Sequence, residues 1–220
     1  MIRSPIVYSG SKFSLMKQLL PLFPKNIDTF YDVFCGSCTV SLNVNANHYK
    51  CNDVCKPLID LYNYFKTEYQ ENKLQEYIEK YDLYNIKDET FYNIRTLYNA
   101  SKDPLLLFIL SRCSFNHLIR FNSKNEFNAP FANWSKVGRK YHFDLDVLKF
   151  KNKDFYSQNF DDFLNAFESC IPFNLLMFSA FASTAKFFGN KKFLAYPSDA
   201  FITSSFFPTP FIFSFNITFI

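Results

Sequence analysis

Short apolar runs separated by polar turns mark the first sixty residues, and apolar positions at helical spacing take over after them. Ile27 to Phe34 is apolar enough for a buried strand, ended by the small-residue turn Cys35-Gly36-Ser37-Cys38, and Tyr49 to Asn52 reads as a second short strand. Between them, Thr39 to Asn47 is expected to be a helix. Strand, small-residue turn, helix, strand and acidic residue, in that order, open a doubly wound α/β sheet. From Lys56 the pattern turns helical: Leu58, Leu61, Tyr62 and Phe65 share one face, as do Leu74, Tyr77 and Ile78, while Asp103-Pro104 caps and opens an apolar helix through Leu110. Four parts are expected: 1-55 as the first part of the sheet domain, 56-143 as a helical insertion, 144-170 as the return to the sheet, and 171-220 as an atypical Phe-rich tail. In that tail neither period persists and Asp199 is the sole acid. One reading is that it is translated out of an ancestral frame or otherwise decayed; the plain alternative is a set of buried strands and loops covering the core.

Length, 220 residues, allows one domain with an insertion, and 48% hydrophobic with 20% charged residues is a globular balance that excludes disordered and disulfide-stapled classes. No apolar run reaches the roughly 18 residues of a spanning helix, and Met1-Ile2-Arg3-Ser4-Pro5 precedes no apolar export segment. The expectation is a cytoplasmic protein with no membrane partner, its six cysteines reduced. A net charge of +4 does not identify a partner, but its distribution changes the picture. Between Pro104 and Phe143 stand Arg112, Arg120, Lys124, Lys136, Arg139 and Lys140 against Glu126 alone, interleaved with Phe115-Asn116, Arg120-Phe121-Asn122 and Asn133-Trp134. Such a mixture suits stacking on bases and reading their edges; the plain alternative is a solvated surface.

Three further segments carry candidate chemistry. Tyr8-Ser9-Gly10-Ser11-Lys12 offers a ring, a flexible glycine and a cation for a small anionic or zwitterionic ligand. Asp32 and Phe34 lead into Gly36, a carboxylate at a strand end followed by a tight turn, where nucleotide-like ligands sit. Asn52-Asp53 ends the next strand, placing a carboxylate to accept hydrogen bonds from ribose hydroxyls.

Tyr-x-Gly-x-Lys, Asp-x-Phe-x-Gly, Asn-Asp and then Arg120-Phe121-Asn122 through Glu126-Phe127-Asn128-Ala129-Pro130-Phe131 resembles the Dam-type DNA adenine-N6 methyltransferases, over residues 1 to about 168. The resemblance implies a Rossmann-like S-adenosylmethionine-dependent methyltransferase sheet with a helical target-recognition insertion, transferring methyl to a flipped adenine in double-stranded DNA. Similar enzymes often act at GATC. It implies that Tyr8, Gly10 and Lys12 form a cofactor loop, that Asp32, Phe34 and Gly36 lie under the methionine part, and that Asp53 faces the ribose. On the DNA side it implies Arg120 as a bidentate guanine reader, Asn116 and Asn122 on bases or phosphates, and Phe115 as a wedge; the basic Lys124 and Arg139 join them. A cognate restriction endonuclease is an implied partner.

Two departures stand out. Cys38 replaces a second glycine of the family's first motif, so its side chain is expected to intrude on the cofactor. No Pro-Pro pair occurs in the chain, so the family's Asp-Pro-Pro-Tyr is missing, and Asn165 to Met177, where it is due, reads differently. No catalytic residue is therefore assigned, and a noncatalytic DNA-binding remnant or accessory protein is the second reading. A zinc-stabilised module, from Cys35-x2-Cys38 and Cys51-x3-Cys55, is the third, weighed against the favoured reading of free thiols and no metal.

Overall fold

A computed structural model describes residues 1–8 and 10–167. The Phe-rich tail, and the Asn165 to Met177 segment beyond Phe167, lie outside the described residues. Three parallel strands, β1 (Thr29–Asp32), β2 (His48–Asn52) and β3 (Lys153–Tyr156), form one sheet in the order β1-β2-β3. Thr29 pairs with His48 and Asp32 with Cys51, while Tyr49 pairs with Lys153 and Asn52 with Tyr156, so the carboxyl ends of all three strands lie together. The Asn52 amide ties these ends. Its Nδ2 donates to Val33 O and Gln158 O, both at 3.1 Å, and its Oδ1 accepts from Gln158 N at 3.0 Å.

Both sheet faces are covered, as a parallel sheet requires. Phe30, Tyr49 and Cys51 join the main core on one side; on the other, Tyr31 and Val33 meet Phe163 of helix α6 (Phe160–Phe167). Ahead of the sheet lies the one-turn helix α1 (Met16–Leu19). Between β2 and β3 the chain builds α2 (Lys56–Thr67), α3 (Glu71–Lys80), α4 (Asp88–Ser101) and α5 (Pro104–Cys113). Leu58, Leu61, Tyr62 and Phe65 are buried as their spacing requires, and so are Leu74 and Ile78. Asp103 caps α5, accepting from Leu105 N at 2.8 Å, with Pro104 in the first turn. Every residue from Leu105 to Leu110 is buried, because α5 is apolar all round and runs between α2 and α4.

One element differs from expectation. Thr39 to Asn47 forms no regular helix but a series of turns between β1 and β2. Two helical bonds survive, Leu42 N to Cys38 O and Val44 N to Val40 O, both 2.9 Å. Side chains take over the rest: Ser41 Oγ donates to Cys38 O, and Asn43 Nδ2 donates to Thr39 O and Ile2 O. Short polar side chains that bond backbone locally compete with a helix.

Candidate functional site

At the carboxyl ends of β1 and β2, a cavity of about 180 Å³ is lined by Tyr8, Gly10, Lys12, Asp32, Phe34, Gly36 and Asp53, together with Ser11, Cys35, Ser37, Thr39 and Val40. All seven residues expected on the cofactor side therefore meet in one place, though they come from three separate segments. The turn after β1 is held from both sides: Gly36 N donates to Asp53 Oδ2 at 2.9 Å, and Gly36 O accepts from the Tyr62 hydroxyl of α2 at 2.7 Å. Gly36 has φ +45°, and a Cβ there would stand 3.3 Å from the Tyr8 ring. Asp53 Oδ1 also accepts from Cys55 N at 2.9 Å, so this carboxylate braces the turn as well as lining the cavity. A chain of hydroxyls, Ser11 to Thr39 at 3.0 Å and Thr39 to Ser37 at 2.7 Å, joins the first loop to the turn.

Electrostatically the cavity is two-signed. Asp32 is buried, and among the described residues its Oδ2 has no hydrogen-bond partner. Burial pushes its carboxyl up to about 6, with Ser41 opposing the shift and the Asp53 charge adding to it. Lys12 is also buried; its ammonium donates to Gly10 O and is pushed below the usual lysine range by burial, while the Asp32 charge pulls the other way. Burial raises the Tyr8 phenol. A buried acid with an orphaned oxygen and a buried ammonium in one cavity suit a zwitterion, because each cost of burial is offset by the ligand's opposite charge. The volume is below the roughly 300 Å³ at which pockets begin to bury a whole drug-sized ligand, so one end of such a ligand fits inside. At the mouth the Phe34 ring, 41% exposed, stacks on Phe160 with centroids 5.5 Å apart and planes 2° from parallel. Phe160 was not singled out from the sequence, and Tyr62 only as a core position of its helix; the signal for Phe160 is an aromatic beside an Asn159 helix cap just past β3.

Cys38 does not intrude. It takes the backbone that glycine favours, φ +56°, but its side chain is fully buried toward Cys35 and Cys51 and lines no part of the cavity. Cys38→Val, branched at a left-handed position in a sealed pocket, should lower stability by about 2–4 kcal/mol, while Cys38→Gly should stay within about 1 kcal/mol, as read from thermal unfolding. Burial raises the thiols of Cys35, Cys38 and Cys51, and among the described residues no three His, Cys, Asp or Glu are grouped to hold a metal. The zinc module is therefore not supported.

On the other side, residues 114–131 fold back as an irregular antiparallel hairpin, with bridges Ser114–Phe131 and Phe121–Phe127. Its underside is aromatic: Phe121 and Phe127 pack on Tyr98, and Phe131 on Phe91. Its outer side exposes Phe115, Asn116, Arg120 and Lys124. Asn116 and His117 both have positive φ, 52° and 54°. Arg120 bonds Asn128, and Arg139 lies over the Trp134 ring, itself beside His117. Asn122 spends its amide inside the turn, accepting from Lys124 N and Glu126 N and donating to Glu126. An exposed basic hairpin of this kind can enter a DNA groove. A larger cavity, about 620 Å³, lies between Arg3–Pro5, α3 and the segment 143–149. Within its lining, Lys149 pairs with Asp146 at 2.9 Å and Arg112 donates to Asp144 O at 3.2 Å.

Residues 8–170 match the family described as D12 class N6 adenine-specific DNA methyltransferase. The chain is similar to the modification methylase StsI of Streptococcus sanguinis, 41% identical over 134 residues, or 60% of this chain and 20% of that protein. It is 35% identical over 170 residues to the type II methyltransferase M.FokI of Planomicrobium okeanokoites, covering 74% of this chain and 26% of that one. With the DNA adenine methylase of Escherichia coli (strain K12) it shares 28% over 172 residues, 73% of this chain and 59% of that one. The chain thus spans between a fifth and three-fifths of the length of these relatives. No described helix is long and apolar enough to cross a membrane.

Proposed function

The chain belongs to the D12 class of N6 adenine-specific DNA methyltransferases, and on that premise we propose that it acts in methyl transfer from S-adenosylmethionine to adenine N6 in duplex DNA. One observation carries the cofactor half: buried Asp32, whose Oδ2 has no hydrogen-bond partner among the described residues, lines a cavity with Lys12 and the Gly36 turn. These residues fit the methionine end of the cofactor. Asp32 suits its ammonium group, Lys12 its carboxylate, and Gly36 leaves the room a Cβ would fill. Asp53 keeps acceptor capacity for ribose hydroxyls beyond its two backbone bonds, and the Phe34 and Phe160 rings suit the adenine face. When bound there, S-adenosylmethionine supplies a methyl group activated by a sulfonium.

For DNA, the hairpin is placed in the major groove, with Arg120 toward a guanine and Phe115 as the wedge that helps extrude the target adenine. Lys124 and Arg139 meet phosphates, so affinity should fall as salt is added. Asn116 is assigned to a base or phosphate, whereas Asn122 supports the turn. GATC is the first site to try, and the modification methylase among the relatives favours a companion restriction endonuclease. A second reading, binding to DNA without catalysis, is favoured by one fact: the 220 residues contain no Asp-Pro-Pro-Tyr to hold the adenine amino group. Incubating the full chain with duplex DNA and S-adenosylmethionine, then measuring N6-methyladenine by mass spectrometry, separates the two. Product in excess over protein is expected; binding of both ligands without product selects the second reading.

A further inference from the structure

We propose that Asn128 is a positioning residue for sequence recognition, holding the Arg120 guanidinium in the orientation that reads a guanine. This rests on the reading of the hairpin as the DNA-recognition element. Three bonds join the two residues across the hairpin: Arg120 Nε donates to Asn128 Oδ1 at 2.8 Å, Arg120 Nη2 donates to Asn128 O at 2.8 Å, and Asn128 N donates to Arg120 O at 3.0 Å. An arginine has five N–H groups. Asn128 engages one on Nε and one on Nη2, which leaves both on Nη1 and the outer one on Nη2. That remaining edge is the pair of parallel donors that matches guanine O6 and N7.

The brace is anchored in the fold. Phe127, just before Asn128, is 1% exposed, and both its backbone groups are taken by the side chain of Asn99 on α4: Phe127 N donates to Asn99 Oδ1 at 2.7 Å, and Phe127 O accepts from Asn99 Nδ2 at 3.2 Å. Ala129 on the other side is fully buried. Asn128 is therefore fixed by its neighbours, while an unbraced surface arginine would sample many rotamers and lose that freedom on binding. The nearby carboxylate, Glu126, accepts from Asn122 Nδ2 at 2.8 Å and forms no ion pair with Arg120 among the described residues. Among the described residues Arg120 makes no ion pair, so a neutral partner orients it and leaves its charge for DNA.

The test is selection by the full chain from a duplex library with a randomised central segment, sequencing of the bound fraction, and fluorescence anisotropy on selected duplexes and single-base variants. Wild type should select a motif containing a guanine whose preference Arg120→Ala erases. Asn128→Ala should lower that preference about tenfold or more, leaving affinity for unrelated duplexes unchanged. Asn128→Asp retains the acceptor for Nε, so it should keep the preference while binding all duplexes more weakly. If Asn128→Ala keeps the guanine preference, or weakens every duplex equally, or if Asn128→Asp discriminates no better than alanine, the positioning role is overturned while the hairpin's recognition role stands. A wild-type chain that selects no motif, or an Arg120→Ala variant that keeps it, overturns both.

Discussion

Gly36→Val is expected to weaken S-adenosylmethionine binding by more than about 100-fold, the largest effect of any single change at the cavity, because it combines backbone strain with filled space. At φ +45° a β-carbon is disfavoured before any contact is counted, and here it would meet Tyr8 Cδ1 at 3.3 Å and Cε1 at 3.7 Å. The turn cannot rotate to relieve this. Moving it breaks the bond from Gly36 N to Asp53, the bond from Tyr62 to Gly36 O, or both, and Tyr62 is wholly buried under the sheet. A stability loss of about 2 kcal/mol should accompany the lost affinity. Calorimetric titration together with thermal unfolding measures both; near-normal affinity would mean that the ligand does not approach this turn.

Asp32→Asn should do the reverse for stability. The folded-state carboxyl titrates at about 6 rather than 3.8, so the folded protein binds the proton more tightly than the unfolded chain does. Stability therefore falls as pH rises between about 4 and 6, by about 3 kcal/mol in all, and stays lower at neutral pH. An asparagine carries no such charge. The variant should be more stable than wild type at pH 7 by up to about 3 kcal/mol, with the slope between pH 4 and 6 removed, yet should bind S-adenosylmethionine at least tenfold more weakly. In wild type, a cationic group seated against Asp32 favours the ionised form, so affinity should rise from pH 5 to pH 7. Chemical denaturation across pH in both proteins checks the slope; parallel curves would show that Asp32 is ionised in both folded and unfolded states.

Much of this geometry was legible because it depends on short-range pattern. Leu58, Leu61, Tyr62 and Phe65 need only a helix to share a face, and Asp103-Pro104 caps a helix through bonds two residues apart. Convergence of Asp32 and Asp53 was inferable once the strand order was assumed, since parallel strands bring their carboxyl ends together, whereas Tyr8 and Lys12, ahead of α1, were joined to them only by the family resemblance. What escaped depends on tertiary partners. Cys38 looked obstructive because its backbone position implies cofactor contact, whereas the direction of its side chain is set by Cys51 on the neighbouring strand. Thr39 to Asn47 read as a helix from its place between two parallel strands, and the competing bonds to Ile2 come from a segment 41 residues away. Asn122, expected on a base or a phosphate, bonds within the turn, while Asn128, six residues on, bonds Arg120; two asparagines in similar contexts cannot be told apart without the hairpin register.

Ultraviolet cross-linking of labelled S-adenosylmethionine to the full chain, followed by peptide mapping, tests the central claim most directly, since the two cavities share no lining residue. Label is expected on peptides that contain Tyr8 or the segment Asp32 to Gly36, and Gly36→Val should abolish it. Label on Tyr69 to Ile78 or Phe143 to Lys149, or label at the first site that survives Gly36→Val, would contradict the assignment.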